Sequence, residues 1–270
     1  MHLPGRSGTE LRMEDQMKRQ EIENRRRQII EHIQRKGSLS TEYASRLFHV
    51  SDETIRKDFA YLEKMQIVEK FYGGARLLNQ RDNLPYTIRE DIHYDAKRSI
   101  ALKALSLIPD KEINIGLDMG STVSILTDLI PPHSPQLFIT NSNIAAQKLL
   151  SKEDRLFLLG GDYDPDRQCY QCEPSVQILH HLSLDLVFLG TGGVENLSGI
   201  STTQFKDVKL KQEFISRSRM KIVLADSSKF SGNSLVQVAE WSEVDILITD
   251  SGIPREAADD LSKKVDLIIV

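Results

Sequence analysis

The sequence predicts an α/β protein built in two parts. A winged helix-turn-helix over residues 25–78 is followed by a larger parallel-sheet α/β domain over residues 95–270. Three observations carry this. Short capped amphipathic helices ending in a hairpin fill the first part. From Glu112 onward, near-continuous Val/Ile/Leu strands alternate with helical segments, the grammar of a parallel sheet covered on both faces. Charge also changes sign: residues 1–80 carry 15 Lys and Arg against 12 Asp and Glu, and the remainder carries 20 against 27, from totals of 35 and 39. A basic amino end on an acidic body points to two modules with different partners.

Residues 1–24 show scattered Leu3, Leu11 and Met17 without a period, and read as a flexible extension. Their mixed charges and lack of an apolar stretch exclude a secretory signal. Ile29, Ile30 and Ile33 then recur at helical spacing, and Lys36-Gly37 closes that helix. Ser40 caps a second helix, Thr41–Phe48, with Ala44, Leu47 and Phe48 inward. After the short turn His49-Val50, Ser51 caps a third, Asp52–Met65, whose Asp52 and Glu53 suit the positive end of the helix dipole. Its buried stripe is Ile55, Phe59 and Leu62. Ile67–Tyr72 reads as a strand, Gly73-Gly74 as a turn and Ala75–Leu78 as the return strand.

Residues 79–94, polar and containing Pro85, read as a linker, and Asp95–Ile108 as a helix opening the second domain. Strands are expected at Ile113–Met119, Gln136–Thr140, Leu156–Leu159, Leu184–Leu189, Lys221–Ala225, Asp245–Thr249 and Asp266–Val270. Helices are expected between them at Thr122–Leu129, Asn143–Leu150, Ser175–His181, Phe205–Ser216 and Arg255–Lys263.

In a helix-turn-helix the second of the paired helices enters the major groove, its N-terminal residues meeting base edges. With the apolar stripe inward, Ser51, Glu53, Thr54, Arg56 and Lys57 face out. Arg56 suits a bidentate pair with guanine, worth about 1–3 kcal/mol of discrimination. Ser51, Thr54 and Lys57 suit phosphates, which set register. Lys70 and Arg76 flank a wing tip at Gly73 and Gly74, and Arg25, Arg26 and Arg27 add a basic cluster. The competing reading, a protein-interaction module, is disfavoured by Arg56-Lys57 and the basic wing; double-stranded operator DNA is the expected partner.

In the second domain, Asp118-Met119-Gly120-Ser121-Thr122 closes a strand and opens a helix. The N–H groups of a helix start with the Ser121 and Thr122 hydroxyls make an anion site. Ligands of parallel sheets bind at the carboxyl ends of strands. Thr140-Asn141-Ser142, Gly160-Gly161, Gly190-Thr191-Gly192-Gly193 and Asp226-Ser227-Ser228-Lys229 occupy other such ends. Ordinary capped turns are the plainer explanation of each one singly; five in one sheet favour a ligand site.

Family resemblance rests on Arg26-Arg27-Gln28-Ile29, Gly37-Ser38-Leu39-Ser40, Val50 through Asp58, Leu62-Glu63 and Gly73-Gly74-Ala75. Together they resemble the DeoR family of bacterial transcription regulators, over about residues 25–270. The resemblance implies a sensor domain like the fold shared by ribose-phosphate isomerases, glucosamine-phosphate deaminases and CoA transferases. It also implies a phosphorylated sugar or related effector that releases DNA. By motif match, Asp118, Gly120, Ser121, Thr122, Asn141, Ser142, Gly160, Gly161, Thr202, Lys211, Asp226, Ser228 and Lys229 would bind that effector, with Gly190 joining them as a strand end. The chain departs from the family pattern at Phe71-Tyr72 in the wing, where a basic residue and a histidine are usual. It departs again at Lys209, at Ser227, and around Gln171-Cys172-Glu173, where only Pro174 is recognisable.

No apolar run approaches the roughly 18 residues of a membrane helix, and two cysteines make no disulfide framework, so a soluble, reduced, cytoplasmic protein is expected. Cys169-Tyr170-Gln171-Cys172 lacks two further zinc ligands, His180-His181 being the nearby pair, so neither metal nor cofactor is expected. The rival function is a sugar-phosphate isomerase- or deaminase-like enzyme with an accessory helix-turn-helix. That chemistry needs a general base, and the Gly190–Gly193 turn has no carboxylate before Glu195. Asp118 and Asp226 read instead as hydrogen-bonding sugar hydroxyls, so no catalytic residue is assigned. The expectation is a non-enzymatic repressor of a carbohydrate-utilisation operon, a dimer or tetramer because paired readers match two-fold operators. Its two modules would be coupled through Pro85 and the Arg89–Arg98 segment.

Overall fold

The structure is a computed structural model, and it describes residues 21–22, 24–33, 36–65, 67–77, 86–194, 198–231 and 236–270. Expectations for residues 1–20, for the linker up to residue 85 and for Glu195 fall outside them. The chain divides into two compact units, Met1–Leu84 and Pro85–Val270.

In the first unit, helix α1 covers residues 24–33, with residues 21–22 also helical, so the helix starts earlier than its apolar period. Ile29, Ile30 and Ile33 are buried, and Gly37, at φ +82°, donates its N–H to the Ile33 carbonyl to end the helix. Ser40 caps α2 (Thr41–Phe48), and left-handed His49 ends it. The buried line of α2 runs through Thr41 and Ala44. Leu47, expected inward, is 43% exposed because six residues at about 100° each carry it off that line. Ser51 caps α3 (Asp52–Lys64) by accepting from the Thr54 N–H.

A strand β1 (Ser38–Ser40), β2 (Val68–Phe71) and β3 (Gly74–Leu77) form a sheet in the order β1-β3-β2. Strand β1 escapes a sequence reading because its three residues bury only Leu39. The hairpin also corrects the expected turn: Phe71 pairs with Gly74, so Tyr72-Gly73 is the loop and Gly74 belongs to β3. Pairing with β1 explains this, since a Cβ at Gly74 would stand 2.5 Å from the Leu39 carbonyl oxygen. Ile55, Phe59 and Leu62 close the unit's core with Leu39, Ile67, Val68 and Ala75.

The second unit opens with α4 (Tyr86–Asp91), which corrects the linker reading of residues 79–94: its carboxyl half forms a helix of the second unit, and α5 (Tyr94–Leu105) follows directly. The seven expected strands all form. They are β4 (Asn114–Leu117), β5 (Leu137–Thr140), β6 (Arg155–Leu158), β9 (Leu184–Gly190), β11 (Ser218–Leu224), β13 (Ile246–Thr249) and β14 (Asp266–Ile269). They make one sheet in the order β14-β13-β11-β9-β4-β5-β6, every pair parallel.

One face is covered by α5, α6 (Ser121–Leu129) and α7 (Asn143–Leu150) through Ile100, Val123, Leu126 and Leu149 on Leu117, Phe138 and Phe188. The other is covered by α8 (Glu173–His180), α9 (Phe205–Arg217) and α10 (Arg255–Leu261) through Leu179, Leu210, Phe214 and Leu261 on Val187, Leu189 and Val223. Burial on both faces is why these strands read as unbroken apolar runs. Glycine at 116 lets α9 press against β4, because a Cβ there would lie 2.9 Å from the Phe214 ring. Two small ladders, β7 (Asp162–Asp164) with β8 (Cys169–Gln171) and β10 (Gly199–Thr202) with β12 (Val236–Glu240), were not legible as strands.

Candidate functional site

In the first unit, Ser51, Glu53, Arg56 and Lys57 are exposed at the start of α3 and Thr54 is half-exposed. The Ser51 and Thr54 hydroxyls lie 2.9 Å apart, and Lys57 pairs with Glu53 at 2.8 Å on the open surface. That pairing holds the Glu53 carboxyl below its ordinary range and the Lys57 ammonium above its own, mainly through their mutual hydrogen bond. Lys70 pairs with Glu63 at 2.8 Å, and Arg76 with Glu69. Exposed pairs of this kind are worth little and yield readily to a phosphate.

The expected basic cluster is corrected. Arg25 Nε donates to Asp58 Oδ2 at 2.7 Å, and Arg26 Nε to Asp58 Oδ1 at 2.8 Å, so these two side chains tie α1 to α3 instead of facing a backbone. Arg26 also stacks 3.7 Å from the centre of the Tyr61 ring. Asp58 was missed, yet it follows Ile55 by three residues, so an acidic group on the inward face called for a cation.

In the second unit, Phe214 resting over Gly116 brings the preceding turn of α9 to the carboxyl end of β4. There the buried Lys211 Nζ pairs with buried Asp118 and donates to the Gly190 carbonyl at 3.0 Å. Asp118 Oδ2 also accepts from the Gly190 N–H at 2.9 Å, joining the ends of β4 and β9. Helix α6 starts beside them: Gly120 is its N-cap and brings no capping side chain to the N–H groups at Ser121 and Thr122. One turn before Lys211, buried Asp207 accepts from the Thr202 hydroxyl at 2.8 Å, from Arg167 at 2.6 Å and from the Gln171 amide. Its hydrogen bonds overcome burial and raise the Arg167 pKa.

At the end of β5, Ser142 caps α7 by accepting from the Ala145 N–H. Neighbouring buried Asn141 donates to the Tyr170 carbonyl at 3.0 Å. Its Oδ1 is buried without a hydrogen-bond partner, and so is Gln171 Oε1. At the end of β11, Asp226 Oδ1 accepts from the Ser228 N–H at 3.1 Å. Burial would push the Asp226 carboxyl up, but Lys229 and Lys97 beside it hold it below the usual range. Gly160 and Gly161 stand apart from these bonds: Gly160 accepts from the Ser175 hydroxyl at 2.5 Å, and Gly161 lies against Cys172.

Four site side chains were not anticipated. Lys97 on α5 is buried and donates to the Arg89 carbonyl; burial pulls its pKa down to about 8 against the nearby Asp226 charge. Arg89 on α4 has its pKa lowered by burial first and by like-charged Arg167 second. Arg167 and Asp207 complete the set. Lys97 sets α5 beside Asp226 at the end of β11, and Lys148 of α7 meets Glu90 at 2.9 Å and ties α4 to the helices on that face. The available signal was spacing: Lys97 precedes Ile100, Ala101 and Ala104 by three, four and seven residues and so shares their helix face.

Beside the cluster opens a cleft of about 650 Å³, lined by Tyr163, Gln171, Cys172, Phe205, Lys209 and Leu210 among others. Gln171 belongs to both cleft and cluster. Lys209, a departure noted in the sequence, pairs with Glu173 at 3.1 Å across it. Burial raises the Cys169 thiol pKa to about 11, so it carries little thiolate. Among the described residues no group of three metal-type side chains converges, and no helix is long and apolar enough to cross a membrane.

A family profile described as the DeoR-like helix-turn-helix domain matches residues 25–81, and one described as the DeoR C terminal sensor domain matches residues 92–251. The chain is 32% identical over 251 residues to a putative aga operon transcriptional repressor of Escherichia coli O157:H7, covering 91% of this chain and 93% of that one. It is 30% identical over 227 residues to the glycerol-3-phosphate regulon repressor of Escherichia coli K12, covering 84% and 90%. An L-fucose operon activator of Haemophilus influenzae is 28% identical over 229 residues, covering 84% and 91%. Among solved structures, ribose 5-phosphate isomerase A of Methanocaldococcus jannaschii overlaps 51% of this chain and 55% of its own at 19% identity, with a TM-score of 0.38.

Proposed function

The chain belongs to the DeoR family of DNA-binding transcriptional regulators, and we propose that it represses a carbohydrate- or polyol-utilisation operon until a phosphorylated sugar or polyol binds its second unit. The carrying observation is one sheet edge that gathers Asp118 with Lys211, Asp207 with Arg167, and Asp226 with Lys97, next to two buried acceptors without donors. Buried acceptors are rarely left unpaired. Hydroxyl groups of a polyol would supply donors to Asn141 Oδ1 and Gln171 Oε1. Lys211, Arg167, Arg89 and the start of α6 would receive the phosphate. The names of the relatives support an operon of this class.

In the first unit, Arg56 would read bases, with Ser51, Thr54 and Lys57 on phosphates and Glu53 pairing Lys57 in the free protein. Two copies on a two-fold operator would sum these contacts, which favours a homo-oligomer, and a regulator of operator DNA would act in the cytoplasm. Coupling would run through α4, the first described element beyond residue 85, because it carries Arg89 toward the Arg167–Asp207 pair. By linkage, a ligand that weakens operator binding is itself weakened by operator to the same degree.

Binding without turnover is the favoured reading over catalysis. A general base should titrate near the working pH, whereas Asp226 is held below its usual range and Asp118 is occupied by Lys211 and the Gly190 N–H. The test is a thermal-shift screen of the full chain with sugar phosphates, glycerol 3-phosphate, inorganic phosphate and unphosphorylated sugars. A ligand specific to the native state raises the melting temperature. A rise with one phosphorylated compound alone supports the reading; no rise, or chemical conversion of that compound, refutes it.

A further inference from the structure

The tip of the wing carries an aromatic side chain that its charges leave unexplained. Tyr72 is the first residue of the Tyr72-Gly73 loop, and its side chain is fully exposed. The loop beneath it is held firmly. Gly73 takes φ +88°, and its carbonyl accepts from the Thr41 N–H at 2.8 Å, pinning the tip to the first residue of α2. The neighbouring Phe71 ring lies back across the hairpin, 2.8 Å from where a Cβ at Gly74 would stand. Phe71 is 44% exposed with its ring laid along the hairpin, whereas the Tyr72 ring projects fully into water.

Each cation near this tip stands beside a carboxylate: Lys70 pairs with Glu63, and Arg76 with Glu69, so a phosphate contact there replaces an existing pair, whereas Tyr72 has no such exchange to make. The Lys70 N–H also donates to Glu63 Oε1 at 3.2 Å, which joins the hairpin to α3 and makes the tip continuous with the reading helix. A rigidly presented, wet aromatic beside a recognition surface costs little entropy to dock and fits an interface.

We infer that Tyr72 is a DNA contact of the wing: its ring lies against deoxyribose at the edge of a groove and its hydroxyl meets a phosphate oxygen. The ring thus adds a surface contact that does not depend on drawing Lys70 or Arg76 away from Glu63 and Glu69. This rests on the reading of the first unit as an operator-binding module.

The test uses full-length protein and a duplex recovered by selection from a random pool, with affinity measured by fluorescence anisotropy over a series of salt concentrations. Tyr72→Ala should lose about tenfold in affinity at every salt concentration, without changing the slope of log affinity against log salt. Tyr72→Phe, which keeps the ring, should lose less. Lys57→Ala, the charge control, should flatten the slope by about one. Full exposure of the ring predicts an unchanged melting temperature for Tyr72→Ala, so loss of folding is not confused with loss of contact. Wild-type affinity in Tyr72→Ala overturns the inference. So does a slope change like that of Lys57→Ala, or a shift in oligomeric state at unchanged affinity, which would assign the ring to a second copy. Failure of the wild-type chain to enrich any duplex would overturn the operator reading itself, before any variant is made.

Discussion

Lys211 of α9 and Asp118 at the end of β4 form a buried ion pair at the carboxyl edge of the sheet, and the same ammonium holds the Gly190 carbonyl at 3.0 Å. Cutting one partner strands a charge in the interior. Lys211→Met should therefore destabilise the second unit by about 3–5 kcal/mol and abolish the ligand-induced thermal shift. The double variant Asp118→Asn with Lys211→Met should recover much of the stability and none of the ligand response, as read by denaturant unfolding and thermal shift. Recovery of the ligand response in the double variant would remove this pair from the site.

Arg56 makes a separable prediction. Arg56→Ala should weaken operator affinity by roughly tenfold or more and relax preference at one base position, from about 1–3 kcal/mol of lost guanine contact. The ligand-induced thermal shift should be unchanged, because the side chain is exposed at the start of α3. Equal loss of both activities would contradict two separate modules.

Asp58 tests the first unit's frame. It is buried and receives both Arg25 and Arg26. Asp58→Ala leaves two partly buried cations without their anion and should lower the stability of this unit by about 3–5 kcal/mol. Operator binding would fall with it, whereas the melting of the second unit and its ligand response would persist in calorimetry. Intact operator binding at full stability would show the arginines serving another purpose.

Lys97 gives a pH signature. Burial pulls its pKa down to about 8 from 10.5, so between those values the unfolded chain holds more protons than the folded one. Stability then rises with pH across that window, and below it the buried charge is a standing cost. Affinity for an anionic ligand should move the opposite way, falling as pH passes through about 8 and the ammonium is lost. Lys97→Met should remove the rise in stability, measured as unfolding free energy from pH 7 to pH 10. A wild-type chain with no such rise would contradict the burial assigned to this lysine.

Much of this was legible in the residues alone, because long apolar strands and capped helices announce themselves through periodicity. Asn143–Leu150 appears as expected, and all seven strands join the sheet near their expected bounds. The strand ends carrying Asp118, Asn141, Gly190 and Asp226 were visible as polar residues closing apolar runs. What escaped depends on tertiary partners. Nothing local says that Arg89, on a six-residue helix in a polar stretch, approaches Arg167 and Asp207 far along the chain. Arg25 and Arg26 look solvent-facing until α3 presents Asp58. Strands β1, β7 and β8 have three residues each, too few for an alternation to register.

Ligand binding at the Asp118–Lys211 sheet edge should be coupled to operator binding by α3. The direct measurement is a pair of reciprocal titrations on one preparation: operator affinity with and without the saturating sugar or polyol phosphate, and ligand affinity with and without operator. Repression lifted by ligand predicts that each partner weakens the other by the same factor, and that Arg89→Ala brings that factor toward one. Operator affinity that stays the same when the second unit is saturated with its ligand would contradict it.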